Sequence, residues 1–164
     1  MNLSASCNAR LAEPLALLLL RLWLAQEFIN AGFIKLSAGL TPPDWFAGLS
    51  FPPPVSWLPA SVNWPAAGAG ELVLGGLLLI GFCSRFAAAG LLFIVWVAVL
   101  SVHFDLGLSG WNQIETDAGL GFKLPLMMAL MLLVLLVHGG GRWSVDTLVR
   151  ERNKRSGRDA TDAV

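Results

Sequence analysis

Four stretches of the chain are almost wholly apolar: residues 14–34, 66–82, 86–102 and 124–137. A helix needs about 20 residues to cross a hydrocarbon core of about 30 Å, with about 17 as the lower limit. The second and third meet that limit. The fourth meets it once residues 123 and 138–139 are included, giving predicted spans at about 14–34, 66–82, 86–102 and 123–139. Read as one helix, residues 66–102 would overrun any bilayer at about 1.5 Å per residue, so Cys83-Ser84-Arg85 is expected to turn. The first stretch begins near the start of the chain. Arg21, Gln26 and Glu27 interrupt it and no small-x-small cleavage site follows, so it reads as a span and not as a secretion leader. A span carrying such groups belongs inside a bundle. The pattern predicts one all-α integral membrane domain over 1–149, a four-helix bundle, followed by a polar, basic and disordered tail over 150–164.

The connections carry their own pattern. Residues 35–65 contain seven prolines interleaved with Trp45, Phe46, Phe51, Trp57 and Trp64. Proline forbids regular hydrogen-bond ladders and tryptophan prefers the headgroup level. The expected picture is a cap on the outer membrane face, with a short interfacial helix opening near Thr41-Pro42. After the fourth span, glycines 139–141 stop the helix, Arg142 and Trp143 suit a headgroup zone, and Ser144 is placed to cap a short amphipathic helix over 145–149.

Composition reinforces the membrane reading: 55% of residues are hydrophobic, 13% are charged and mean hydropathy is +0.66. A soluble domain carries about 25% charged residues, so this chain lacks a polar coat. Eleven basic residues balance eleven acidic ones, which leaves no basic excess for a nucleic-acid partner. Their placement is informative. Eight Lys/Arg fall in the N-terminal tail, the turn between the second and third spans and the C-terminal segment; only Lys35 and Lys123 fall on the other side, with Arg21 inside the first span. The positive-inside rule then places both termini in the cytoplasm. The two cysteines, Cys7 and Cys83, form neither a disulfide framework nor a Cys-x-x-Cys motif, which excludes thiol–disulfide relay chemistry.

Ionisable groups inside spans are the main candidates for chemistry. Counting inward from the predicted outer ends puts Glu71 roughly 7 Å deep and Glu27 roughly 10 Å deep. Asn30 shares a helix face with Glu27 at i+3, and Gly68, Gly70 and Gly75 allow a helix to approach Glu71 closely. One reading is an outward-opening polar pocket of Arg21, Glu27, Asn30, Lys35, Glu71 and Lys123. The other is that these charges pair and set the register of the bundle; spacing does not separate the two. His103 and Asp105 follow the third span, where Glu115 and Asp117 are near enough in sequence to join them as metal ligands, although a loop histidine is more often solvated or capping. Met127, Met128 and Met131 suit Cu(I) as thioethers and suit core packing more commonly.

Several of these residues recur in a known order. Arg21, Gly32-x-x-Lys35-Leu36, Gly70-Glu71-Leu72 with Gly75, Leu77 to Gly81, Ser84-Arg85-Phe86-Ala87-Ala88 and Gly139 to Asp146 together resemble the DoxX family of small four-helix bacterial inner-membrane proteins. The likeness spans residues 14–148, and Arg21, Lys35, Glu71 and Arg85 match the family's charged pattern. It implies a four-helix bundle in the bacterial inner membrane with cytoplasmic termini. Members of the family are linked to quinones in oxidase and thiosulfate-oxidising complexes, to oxidative-stress proteins and to the maturation of copper-binding peptides.

Three functions follow. The first is a membrane subunit of a redox system that handles a quinone or small electron donor, with Glu27 and Glu71 exchanging protons. It would be an oxidoreductase subunit and not an autonomous enzyme, because no haem or iron–sulfur ligand set is present. The second is a non-catalytic partner or scaffold for a metal- or stress-handling complex, docking through its aromatic loop. The third is a small-solute transporter. Beyond the lipid bilayer, a protein partner or a homo-oligomer is expected in each case.

Overall fold

The computed structural model describes residues 3–161, with side chains from Ala12 to Lys154. Tail residues 162–164 and the side chains of Cys7 and Arg10 lie outside that range. The chain is mostly helical. Helix α1 runs Leu3–Ser37, α2 Asp44–Ala47, α3 Ala60–Ile80, α4 Ser84–Val102, α5 Lys123–His138 and α6 Val145–Thr161. Within these, Ala12–Ser37, Ala60–Ile80 and Ser84–Val102 are long and apolar enough to cross a bilayer, and α5 is a shorter apolar helix. Strands β1 (Glu115–Thr116) and β2 (Gly119–Leu120) add a small antiparallel hairpin that pairs Glu115 with Leu120.

α1 packs along α3, α4 along α5 and α3 against α4, while α1 and α5 meet more sparsely. Leu24, Leu78, Leu91, Leu132 and Leu135 are fully buried between them. The α1–α3 contact is close because small residues line it. A methyl on Gly32 would sit 2.6 Å from the Gly68 carbonyl oxygen and 2.7 Å from the Leu72 amide nitrogen, so only glycine admits this approach. Gly75 rests on Phe28 and Ile29 one step further along.

Two ends of the helix cluster can be distinguished. The loop end carries residues 38–59 and 103–122. The turn end carries Gly81–Cys83 and the segment from Gly139 to Ser144. At the turn end Gly81 adopts a left-handed conformation (φ 72°), and the Gly81 and Phe82 amides both donate to the Leu77 carbonyl, closing α3 as a glycine-capped helix.

Three boundaries differ from expectation. α3 starts at Ala60 and not Ala66: Pro59 sits extended at its N-cap, and Pro65 lies inside the helix, where its missing N–H costs one helical hydrogen bond. This places Glu71 near the middle of the helix. The turn after α3 occupies Gly81–Cys83, two residues before the expected place. Finally, α6 continues past Val149 to Thr161, through residues whose composition favours disorder. Ser144 Oγ accepts the Thr147 amide, which starts the helix, and Arg150, Glu151, Arg152 and Lys154 are good helix formers that extend it.

Candidate functional site

The proline-rich connection folds back over the loop end. Trp64 lies buried in the first turns of α3 and donates its indole N–H to the Gly39 carbonyl at 3.0 Å. Phe46, the buried residue of α2, stacks near Trp64 (5.0 Å between ring centres) and Phe51 (5.1 Å). Asn63 Nδ2 donates to the carbonyls of Val55 and Leu58, both at 3.1 Å, and so holds the 3-10 turn over Val55–Trp57. The prolines restrict the chain, the aromatics supply the area, and Asn63 supplies the hydrogen bonds that α3 leaves free.

Beneath this roof lies a cavity of about 440 Å³. Trp45, Phe46 and Phe51 line it above; Phe93, Ile94 and Val97 of α4 and Ala66 and Ala67 of α3 form its walls. Lys35 and Glu71 are the charged residues in the lining. Lys35 Nζ donates to both Glu71 carboxylate oxygens, at 2.9 and 2.7 Å, with the Lys35 side chain 24% and the Glu71 side chain 8% exposed. Ser101 and His103 complete the lining at the end of α4, and Ser101 Oγ and His103 Nδ1 are buried with no hydrogen-bond partner among the described residues. Burial holds His103 below the ordinary imidazole range, opposed by the Gly121 backbone and the Asp105 carboxylate, so a neutral ring is favoured.

Of the six residues proposed from sequence to share a pocket, the structure brings Lys35 and Glu71 together. Arg21 lies at the opposite end, donating to the Gly140 carbonyl at 2.8 Å and the Trp143 carbonyl at 2.9 Å. Glu27 and Asn30 do not line the cavity; Glu27 is half-buried and Asn30 exposed on α1. Lys123 opens α5 and makes no ion pair among the described residues. Asp105 does not meet Glu115 and Asp117 in a cluster: its carboxylate accepts the Leu120 amide at 3.1 Å and so ties α4 to the hairpin. Met128 and Met131 pack against the core, whereas Met127 is exposed. Sequence reasoning passed over Ser101 and Asn63. Ser101 is the polar residue closing an apolar run two places before His103, and Asn63 stands among prolines where no helix was expected.

The turn end is held by a separate polar knot. The Asp146 carboxylate accepts the Cys83 amide at 2.7 Å and the Ser84 amide at 2.9 Å, capping α4 from α6. The Asp146 amide donates to the Gly81 carbonyl at 3.0 Å, and Arg85 donates to Val137 at the end of α5. With Arg21, these bonds fasten the start of α6 to the middle of α1 and to the ends of α3, α4 and α5. Arg21, Gly81, Ser84-Arg85 and Gly139 to Asp146 therefore meet in one structural joint.

A family model described as DoxX matches residues 16–104, more than half of the chain. The chain belongs to the DoxX family. The matched segment takes in Arg21, Lys35, Glu71 and Arg85 and ends just past the His103 position that closes the cavity. A protein of Haemophilus influenzae, described as uncharacterized, is 37% identical to this DoxX chain over 143 residues, covering 86% of the chain and 87% of the relative. No solved structure matches it. Family and apolar helices together make this a membrane protein in contact with the lipid bilayer.

Proposed function

We propose that this DoxX chain is the membrane subunit of a redox system and that its loop-end cavity takes the head of a quinone or of a similarly flat, apolar electron donor. The observation that carries the reading is an aromatic- and aliphatic-walled cavity whose charged groups are a single ion pair, Lys35–Glu71. Concave, mostly apolar sites with a few convergent polar groups are where small ligands bind. A quinone supplies reversible uptake of electrons together with protons. Lys35 Nζ would donate to a head-group oxygen and stabilise negative charge there. Glu71, giving up one of its two bonds to Lys35, would exchange the proton at that oxygen. Ser101 Oγ and His103 Nδ1 offer two further polar contacts that the described residues leave unused.

In this reading four helices span the bacterial inner membrane, with both termini cytoplasmic and the cavity opening outward. The Lys/Arg distribution supports the orientation. At 16 residues, α5 reaches about 24 Å, and Phe122 and Gly139 extend it toward the headgroups. Electron transfer requires a protein partner or a partner-held cofactor. Exposed Trp57 and Trp111 at the loop end favour a second reading, in which that surface docks a partner and the chain is a scaffold.

Native mass spectrometry of the protein in its own lipids tests the first reading. A quinone is expected to co-purify with the wild type and to be lost in Glu71→Gln and Lys35→Met variants that remain folded. A folded wild type carrying no quinone, bound only to a partner chain, overturns it and leaves the scaffold.

A further inference from the structure

Helix α1 has two contrasting sides. Leu17, Arg21, Leu24, Ala25, Phe28 and Gly32 are buried against the rest of the molecule. On the far side Leu19, Trp23, Gln26, Asn30, Phe33 and Ser37 are all exposed. Their spacing is 4-3-4-3-4, the alternation that keeps one seam of a helix turned toward a second helix along its length. The middle of that seam is polar. Gln26 and Asn30 are amides, and half-buried Glu27 flanks them; none of the three side chains makes a hydrogen bond or an ion pair with the described residues.

Their depth makes this significant. Gly75 rests on Phe28 and Ile29, and Gly68 on Lys35 and Leu36, so residues 26–30 run alongside the interior of α3 and not its ends. They also lie well inside the membrane-crossing stretch Ala12–Ser37. Hydrocarbon offers these groups no partner, and polar residues at such depth ordinarily turn inward. Here they face outward, at the positions a partner helix would cover.

We infer that α1 carries a self-association seam and that the chain forms a parallel two-fold dimer through it, the Gln26 and Asn30 amides hydrogen-bonding to their counterparts in a second copy. Three features select a second copy over another chain. An amide is both donor and acceptor, so it complements itself across a two-fold axis. Two copies inserted in the same orientation are necessarily parallel, which places like positions opposite one another. Polar side chains at seam positions between apolar Leu19, Trp23 and Phe33 fix the register of two helices. The inference is independent of what the loop-end cavity binds.

The full chain in lipid vesicles, with Cys7→Ser and Cys83→Ser, provides the test. Phe33→Cys, on the same face, is expected to form a disulfide-linked dimer on mild oxidation, while Val73→Cys, exposed on α3, is not. Single-molecule photobleaching at increasing dilution in lipid then gives the dimer constant. Gln26→Leu/Asn30→Leu, which makes the face more apolar and leaves the buried side intact, is expected to weaken it by at least about tenfold, from interhelical side-chain bonds of this kind. Monomers at every dilution, an undiminished dimer in the double variant, equal cross-linking at both cysteines, or cross-linking of position 33 to a different chain would each overturn the dimer.

Discussion

The pair of Lys35 and Glu71 sits among aromatic and aliphatic side chains, so its two charges depend on each other. Removing one partner of a buried pair leaves the other uncompensated, at a penalty of about 3–5 kcal/mol; because Lys35 is partly exposed, the lower end of that range is expected for Lys35→Met. Lys35→Met/Glu71→Leu removes both charges and should recover most of the loss. Thermal unfolding of the three proteins in one detergent checks this, and a double variant as unstable as the single one contradicts it. His103 adds a pH dependence. Its folded pKa lies below the unfolded value of about 6.5, so on acidification the unfolded chain takes up the proton first. Its contribution is therefore complete above about pH 6.5 and is lost as pH falls below that. His103→Gln should flatten the unfolding midpoint between about pH 5 and 7. At this scale the sequence located ionisable residues inside apolar stretches, but which of them are buried and paired depends on helix rotation. Glu27 and Glu71 both read as span carboxylates; only Glu71 points where Lys35 can reach it.

Helices are placed by what passes between them. α1 and α3 touch through glycines, and Gly32 is the tightest point, since a methyl there meets backbone atoms that cannot rotate aside. Gly32→Ala should lower stability by about 1–3 kcal/mol, as forced overpacking does, and should shift Lys35 relative to Glu71. Gly76→Ala, where a methyl meets nothing within 4 Å, should be neutral or stabilising by up to about 1 kcal/mol through helix propensity. Parallel thermal melts distinguish the two, and equal effects would mean that the close approach is unimportant. The turn-end joint makes a second element-scale prediction. Asp146→Ala removes the cap on α4, a change worth about 0.5–2 kcal/mol; it should release the start of α6, seen as faster amide exchange at Cys83, Ser84 and residues 145–149. The glycines near Glu71 were legible as points of close approach. The α3 start was not, because proline spacing argues against helix and only the packing of Asn63 and Trp64 shows that the helix continues through Pro65.

For the whole molecule, the arrangement separates two tasks. The turn end is a joint of hydrogen bonds that collects the ends of α3, α4, α5 and α6 around Arg21 of α1, and the loop end is an aromatic roof over a cavity. The proposed orientation can be measured directly. Exposed Cys83 lies at the turn end, so with Cys7→Ser it should react with a membrane-impermeant maleimide only after the inner face is opened. Ser109→Cys, with both native cysteines replaced, should react from outside in intact cells. The reverse labelling would invert the topology and place the cavity on the cytoplasmic face.

The sequence by itself determined that the chain enters a membrane, where its long apolar helices run, and that an aromatic, proline-rich connection covers one end. Hydropathy, length and residue preference are local quantities, read without knowing which helix neighbours which. Only the tertiary structure decided that Arg21 serves the turn-end joint, that Lys35 meets Glu71, that Ser101 and His103 border the same cavity, and that Gln26, Glu27 and Asn30 lie on the outer side of α1. Each of these depends on the rotation and axial offset of one helix against another. Those are set by close contacts such as Gly32 on Gly68, summed over the whole interface, and no single stretch of sequence contains them.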